Sequence, residues 1–265
     1  MIFVQFAHKD VHMMNKSTDF VASLAKGLRV IEAFHAEKPR LSITDVAQET
    51  GLDRATARRC LLTLAELGYA DYDGKFFSLT PRILRLGVAA LASMPLPQIV
   101  QPWLDQLSER VGQSCSVAIL EGTEILYVAR AAQRRVMSIG LMPGSRLPAF
   151  CTSMGRVLLA ALPRDGARKI IEQSDLSPRT PNSLTGVSEL MQELDHVRLQ
   201  GYALVDQEVE LGLRSLSVPI LNQRGDTVAA LNIGLAALQP GAASVVSDYL
   251  EDLLRVQAGL KRVFG

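Results

Sequence analysis

Two short amphipathic segments that meet at a single glycine constrain the fold of the N-terminal part most strongly. Ser42 is a suitable N-cap for a helix that runs through Thr50. Gly51 can adopt the left-handed conformation that ends such a helix. Asp53 is a second N-cap, and it begins a helix of apolar residues at helical spacing that ends near Leu67. Two short helices joined by a glycine turn predict a helix-turn-helix.

The flanking segments fit the same kind of domain. Apolar residues recur at helical spacing from Leu24 to Phe34 and predict a preceding helix. An Asp73-Gly74 pair between two short β-rich runs predicts a tight hairpin. A hairpin directly after a helix-turn-helix is a wing. Thr80 followed by proline has the cap-then-proline order that begins another helix.

The third helix has the composition of a DNA-recognition helix. Such a helix presents hydrogen-bond donors to bases and phosphates on one face and packs on its domain with the other. Arginine suits this role because its planar fork engages guanine or phosphate bidentately. The predicted DNA contacts, one of them in the wing, are Arg54, Thr56, Arg58, Arg59, Thr63 and Lys75. A solvated polar face is the alternative for any isolated helix, but the ordered succession of elements favours duplex DNA as a partner.

Bulk composition permits this interpretation without requiring it. The chain is 48% hydrophobic and 21% charged, which is typical of a soluble globular protein. Its formal net charge of +1 means that any basic footprint is local. Three cysteines without a CxxC pair suggest neither a disulfide framework nor a structural zinc site. This cysteine usage fits a reducing cytoplasm. No apolar run reaches the roughly 20 residues that a membrane-spanning helix needs, so we expect a soluble protein with no membrane partner.

The sequence after Gly112 changes to short β-rich runs with helical patterns between them. The predicted strands are residues 116–120, 124–129, 136–139, 215–220 and 227–234, and the predicted helices are residues 155–162, 190–199 and 243–263. This pattern predicts an α/β domain, with one sheet flanked by helices.

Longer stretches resemble the IclR family of bacterial transcriptional regulators. Residues 23–91 resemble its DNA-binding domain, and residues 53–62 are similar to its recognition helix. Residues 147–160 and 201–214 are similar to signatures of its effector domain. Residues 134–154 look closest to the branch that controls aromatic-acid breakdown through the β-ketoadipate pathway.

The resemblance implies a two-domain α/β protein that self-associates as a dimer or tetramer. It implies a small-molecule effector, an aromatic acid or a β-ketoadipate pathway metabolite. The expected organisation is a flexible N-terminal tail over residues 1–19, a winged helix-turn-helix over 20–79, a linker helix over 80–95 and a GAF-like effector-binding domain over 96–265.

The resemblance also places the effector in a cup between the sheet and the loops. A helix beginning near Gly155 would offer free amides to an anion, a nearby arginine could clamp a carboxylate, and apolar residues could hold a ring. The predicted effector contacts are Arg134, Arg135, Val136, Ile139, Phe150, Cys151, Thr152, Ser153, Met154, Asp206, Ser215 and Asn232. The alternative is that the arginines form a solvated turn and that the apolar residues are ordinary core.

Three other sets of residues have simpler explanations. The acidic residues Asp206, Glu208 and Glu210 could bind a metal if they share a strand face, but a solvated edge or ion pairs with Arg214 are favoured. Cys151 could be a nucleophile, but a buried thiol is favoured. No glycine-rich phosphate loop is present, so no cofactor is expected. The competing hypothesis is a small-molecule-processing α/β enzyme with a nucleic-acid-binding tether.

Overall fold

A computed structural model describes residues 20–35, 38–87, 95–133, 140–237 and 241–264. The chain divides into two compact units, residues 1–93 and 94–265. No helix in these described ranges is both long enough and apolar enough to cross a membrane.

The N-terminal unit contains three helices and a small antiparallel sheet. The helices are α1 (Ala22–Glu32), α2 (Ile43–Thr50) and α3 (Arg54–Glu66), and the strands β1 (Arg40–Leu41), β2 (Ala70–Tyr72) and β3 (Phe77–Leu79) are arranged in the order β1-β3-β2. Its core residues are Val30, Leu41, Val46, Ala57, Leu61, Leu64, Ala70 and Phe77. The predicted helix-turn-helix and wing are both confirmed.

Local caps determine where α2 and α3 begin and end. Ser42 and Asp45 form a reciprocal capping box at the start of α2. Gly51 ends α2 with a φ of 66°, a conformation that side chains with a Cβ rarely adopt. The Asp53 carboxylate then accepts the Thr56 amide at 2.8 Å and begins α3. The turn between the two helices therefore depends on residues within a few positions of one another.

The predicted linker helix is described only at its beginning. Thr80 caps a 3-10 turn at Pro81–Ile83, which continues as helix through residues 84–87. The remainder of the predicted linker, up to residue 94, lies outside the described residues.

The C-terminal unit is built on one six-stranded antiparallel sheet. Its strands are β4 (Ser114–Glu121), β5 (Glu124–Ala131), β6 (Arg146–Pro148), β7 (Ala203–Asp206), β8 (Leu213–Leu221) and β9 (Thr227–Ala236), in the order β6-β5-β4-β9-β8-β7. Its helices are α4 (Pro95–Val111), α5 (Ser153–Ala160), α6 (Arg164–Gln173), α7 (Val187–Gln200) and α8 (Ala242–Lys261).

Helices cover both faces of this sheet, as the α/β pattern predicts. On one face α4 and α8 pack over residues such as Val117, Leu216 and Ile233. On the other face α5, α6 and α7 form a second core around Met154 and Leu190. The sequence patterns missed β6, β7 and α6, which are short or weakly apolar. The predicted strand at residues 136–139 lies outside the described residues.

Candidate nucleic-acid interface and ligand cavity

The exposed face of α3 carries three arginines. Arg54, Arg58 and Arg59 are exposed, as is Thr63 on the next turn. Within the described part of the chain, Arg54 and Arg58 form no ion pair. Uncompensated guanidinium groups on an exposed helix are suited to phosphates and base edges.

Thr56 is less accessible than the other predicted contacts on α3. Only 6% of the residue is exposed, and its Oγ1 accepts a hydrogen bond from the Arg59 guanidinium at 3.4 Å. Thr56 lies about 200° around the helix from Arg54, at 100° per residue, and so falls at the margin of the buried face. Its amide serves the Asp53 cap.

The wing loop presents Lys75 on a fixed turn. Gly74 has a φ of 99°, and the Asp73 carboxylate accepts the amides of Lys75 and Phe76 at 3.0 and 2.7 Å. These hydrogen bonds lower the pKa of Asp73. The Lys75 ammonium is exposed and lies 4.9 Å from the centre of the Phe76 ring. The wing therefore holds a cation in a defined position.

The C-terminal unit contains a cavity between the N-terminus of α5 and the sheet. The enclosed volume is about 20 Å³, and the cavity opens to solvent. Its walls are mostly apolar or aromatic, with a few polar side chains, as is usual for small-molecule sites. The lining residues are Tyr127, Arg130, Leu141, Leu147, Thr152, Ser153, Met154, Val209, Leu213, Ser215, Asn232 and Gly234.

A row of polar side chains crosses the sheet beneath this cavity. Strand register aligns Arg130 of β5 with Ser116 of β4, Ser116 with Asn232 of β9, and Asn232 with Ser217 of β8. Arg130 Nη1 donates to Ser116 Oγ at 2.9 Å, and Ser217 Oγ lies 2.6 Å from Ser153 Oγ at the start of α5. We call these five residues the polar row.

One extra residue in β5, Val128, explains how Arg130 reaches the cavity. Tyr127 and Arg130 are three residues apart, so a regular strand would place them on opposite faces. The ladder between β4 and β5 shifts between Val117 and Ala118, and both side chains consequently line the cavity. Burial lowers the pKa of the Arg130 guanidinium, since removal from water disfavours its charged form.

The N-terminus of α5 is held rigidly at the cavity wall. Thr152 is its N-cap and accepts the Gly155 amide at 3.1 Å. Gly155 packs so closely on the backbone of Ala149 that a Cβ there would overlap it. The start of α5 therefore cannot shift independently of the 149–152 turn.

A buried ion pair joins this helix to the loop after β7. Arg156, which is 2% exposed, donates to Glu208 Oε2 at 2.6 Å and to the Phe150 carbonyl at 3.1 Å. The same Glu208 oxygen accepts the Leu184 amide at 3.0 Å. Since Val209 follows Glu208 and lines the cavity, the pair connects two of the cavity walls.

Five of the twelve predicted effector contacts line the cavity. They are Thr152, Ser153, Met154, Ser215 and Asn232. Arg134, Arg135, Val136 and Ile139 lie outside the described residues.

Three other predicted contacts do not line this cavity in the described structure. Phe150 and Cys151 are fully buried in the helix-side core rather than in the cavity lining. The Asp206 carboxylate pairs with Arg214 at 2.9 and 3.0 Å. Because side chains alternate along β8, Arg214 and its partner lie on the face opposite to Ser215. Of the two alternatives that the sequence left open for the acidic residues, Asp206 has the ion pair with Arg214.

Sequence reasoning missed most of the apolar wall and its cation. Tyr127, Leu141, Leu147, Val209 and Leu213 come from separate segments. Arg130 had one available signal, since a charged residue inside an otherwise apolar strand needs a buried partner or a ligand.

The alternative chemistries gain no support from the geometry. Burial raises the pKa of the Cys151 thiol to about 11, so it stays protonated at neutral pH and is a poor nucleophile. Glu208 is engaged by Arg156, and the described residues contain no group of three or more His, Cys, Asp or Glu side chains arranged to hold a metal.

Comparison with known proteins identifies the family. Residues 23–74 match the IclR helix-turn-helix domain, and residues 88–258 match the C-terminal domain of the bacterial transcriptional regulator IclR. The Pca regulon regulatory protein of Pseudomonas putida is 45% identical over 97% of this chain and 89% of its own length. The p-hydroxybenzoate hydroxylase transcriptional activator of Acinetobacter baylyi is 41% identical over 82% of each chain.

A solved structure shows the same fold. The IclR family transcriptional regulator from Brucella abortus superposes with a TM-score of 0.79, at 26% identity, over 93% of this chain and 94% of its own. The two relatives confirm the resemblance found in the sequence, including its branch. The chain belongs to the IclR family of bacterial transcriptional regulators.

Proposed function

We propose that this protein is a cytoplasmic, sequence-specific regulator of aromatic-acid catabolism that binds operator DNA and is controlled by an aromatic carboxylate. The observation that carries the effector class is Arg130, a partly buried cation in a cavity whose other walls are largely apolar. The names of the two relatives support the pathway.

The DNA contacts in this proposal are Arg54, Arg58, Arg59 and Thr63 on α3 and Lys75 on the wing. All five are exposed, and the helix and the wing belong to one compact unit. α3 would enter the major groove while the wing lysine contacts the backbone. Self-association as a dimer or tetramer would present two or more such units to an operator with repeated half-sites.

The effector would lie with its carboxylate at Arg130 and its ring among the apolar walls. Tyr127, Leu141 and Met154 offer a slot for a flat ring, and an arginine fork can bind a carboxylate through two parallel hydrogen bonds. An effector bound more tightly by one arrangement of the oligomer shifts the population toward that arrangement, and thereby alters operator affinity.

DNA binding is tested on a duplex selected by the full-length protein from a random-sequence library. Arg58→Ala and Arg59→Ala should each weaken DNA binding. Each should also lower the slope of log K against log salt concentration by about one, because each phosphate contact releases about one counterion from the DNA when the protein binds. Lys261→Ala, an exposed cation of the other unit, is the matched control. An unchanged salt slope in both arginine variants would remove them from the interface.

Effector binding is tested by calorimetric titration with protocatechuate, 4-hydroxybenzoate and β-ketoadipate, with glyoxylate as the comparison. Protocatechuate or 4-hydroxybenzoate should bind saturably without turnover, and saturable binding of β-ketoadipate alone would contradict the aromatic class. Arg130→Met should weaken that binding by roughly 10- to 100-fold, as the loss of a charge-assisted hydrogen bond implies. Arg110→Met, an exposed arginine on α4, should have no effect. If none of the ligands binds, or if Arg130→Met binds normally, the proposed effector class is wrong.

A further inference from the structure

A cleft in the N-terminal unit separates α1 from α3. Its volume is about 370 Å³, and it opens to solvent. Ser23, Lys26 and Gly27 of α1 form one wall, and the residues of α3 that form the other are Thr56, Arg59, Cys60, Thr63 and Leu64. This α1–α3 cleft therefore adjoins two of the proposed DNA contacts, but none of the predicted site residues lies on its α1 wall.

Lys26 and Arg59 bring two positive charges to the α1–α3 cleft, and no acidic side chain of a described residue lines it. Arg59 Nη2 donates to Thr56 Oγ1 at 3.4 Å, which turns the guanidinium toward the cleft that Thr56 also lines. Lys26 is exposed and forms no ion pair within the described part of the chain. Like charges that share an open space repel one another, and an anion between them is attracted to both. The cleft is therefore suited to an anion.

We infer that a backbone phosphate of the bound DNA lies in the α1–α3 cleft, between Lys26 of α1 and Arg59 of α3. This inference rests on the proposed function, because it takes α3 to be the helix that enters the major groove. A helix in the major groove has a phosphate backbone on either side of it. An element that packs beside that helix consequently meets a backbone strand. α1 is such an element, since Val30 of α1 shares a core with Leu61 and Leu64 of α3.

Lys26 would position the protein on the duplex without reading its sequence. Phosphate contacts fix the register and orientation of a protein on DNA but carry no base information. Each neutralised phosphate of duplex DNA releases about 0.9 counterion. Loss of one such contact should therefore weaken binding by about eightfold at 0.1 M salt and about fourfold at 0.2 M salt for each half-site bound, whatever the DNA sequence.

The test is binding of the full-length protein to the selected duplex and to a scrambled duplex at both salt concentrations, measured by fluorescence anisotropy. Lys26→Gln should weaken binding to both duplexes by the same factor and lower the slope of log K against log salt by about one per half-site. Lys26→Arg keeps the charge and should bind both duplexes within about threefold of the unaltered protein. Lys261→Gln, which removes an exposed cation of the other unit, should change neither affinity nor slope.

Gly27 allows the cleft to be filled without disturbing the fold. A Cβ at this position would meet no atom within 4 Å. Gly27 also lies inside α1, where leucine is a much better helix former than glycine. Gly27→Leu should therefore raise the melting temperature, and it should weaken DNA binding at least as much as Lys26→Gln because its side chain occupies the space for the phosphate. A purely structural role of α1 would not change stability and affinity in opposite directions.

The outcomes separate this inference from the proposed function. An unchanged affinity and salt slope in Lys26→Gln, or normal DNA binding by a folded Gly27→Leu protein, would overturn the inference, and weakened binding by Arg58→Ala in the same assay would leave the DNA-binding role of α3 intact. Weaker binding of Lys26→Gln to the selected duplex alone would mean that Lys26 reads bases, which also contradicts the inference. Saturable binding of inorganic phosphate to the free protein that Lys26→Gln abolishes would assign the cleft to a free anion instead. Normal binding by Lys26→Gln, Arg58→Ala and Arg59→Ala together would overturn both proposals.

Discussion

Arg156 is the largest side chain that is fully buried among the described residues, and its replacement offers a quantitative test of the fold. Arg156→Met keeps much of the aliphatic volume and removes the guanidinium. The Glu208 carboxylate, whose side chain is 8% exposed, would lose the Arg156 donor and keep the Leu184 amide. The Phe150 carbonyl would also lose the hydrogen bond that it accepts from Arg156. Because a buried charge is left without its counter-ion, we expect the C-terminal unit to lose about 3–5 kcal/mol.

That loss is a large part of the roughly 5–15 kcal/mol that stabilises a typical domain. The chain contains a single tryptophan, Trp103 on α4, so its fluorescence during urea unfolding reports on the C-terminal unit. Arg164→Met is the matched control, since Arg164 forms an exposed pair with Asp195 and such pairs contribute little.

A double-mutant cycle separates the ion pair from general packing. Glu208→Gln removes the buried charge while keeping an acceptor for Leu184, so Arg156→Met/Glu208→Gln should be more stable than Arg156→Met alone. The coupling energy should lie at about 1–3 kcal/mol, as for residues in direct contact. The reasoning is refuted if Arg156→Met destabilises no more than Arg164→Met, or if the two changes in the cycle are additive.

Three further predictions follow from local geometry. Gly155→Ala should destabilise the C-terminal unit by more than the roughly 1–3 kcal/mol of ordinary overpacking, because its Cβ would overlap the Ala149 backbone. Gly166→Ala in α6, where the space is open, should stabilise it by up to about 1 kcal/mol, and equal melting temperatures of the two variants would contradict this prediction. Hydrogen bonds at the start of α3 lower the pKa of the Asp53 carboxyl in the folded protein. The contribution of Asp53 to folding stability is therefore fully present above its unfolded pKa of about 3.9, and it is lost as the pH falls through the lower folded pKa. Circular-dichroism melts should therefore show the destabilisation by Asp53→Ala shrinking on acidification below pH 4, and a constant difference would exclude the cap. Cys151, whose thiol pKa is raised to about 11, should resist alkylation by iodoacetamide at pH 8 in the folded protein and react after unfolding in urea, as measured by mass spectrometry. Rapid labelling of Cys151 in the folded protein would contradict its burial.

The DNA-binding unit was predictable in its elements because its signals are local. The Ser42 box, the Gly51 turn, the Asp53 cap and the Asp73-Gly74 hairpin each act over two to four residues. Helix faces follow from the 3.6-residue period, and among the predicted contacts on α3 only Thr56, at the margin of the buried face, is buried.

Five lining residues of the cavity were predicted: Thr152, Ser153 and Met154 at the start of α5, and Ser215 and Asn232 on two strands. Its cation and its polar row depend on which strands become neighbours. β9 inserts between β4 and β8, and this order brings Arg130 and Asn232 to one surface although a hundred residues separate them in the chain.

Register then decides which side chains of each strand face the ligand. Because strand side chains alternate with a period of two, a shift of one residue exchanges the cavity face for the opposite face, as the irregularity at Val117/Ala118 does for Arg130. Asp206 pairs in regular register with Arg214 and lies on the face opposite to Ser215. Hydrophobic patterning identifies the strands, and the capping residues identify the helices. Long-range strand pairing is determined only when the whole sheet packs, and that pairing determines which residues line the cavity.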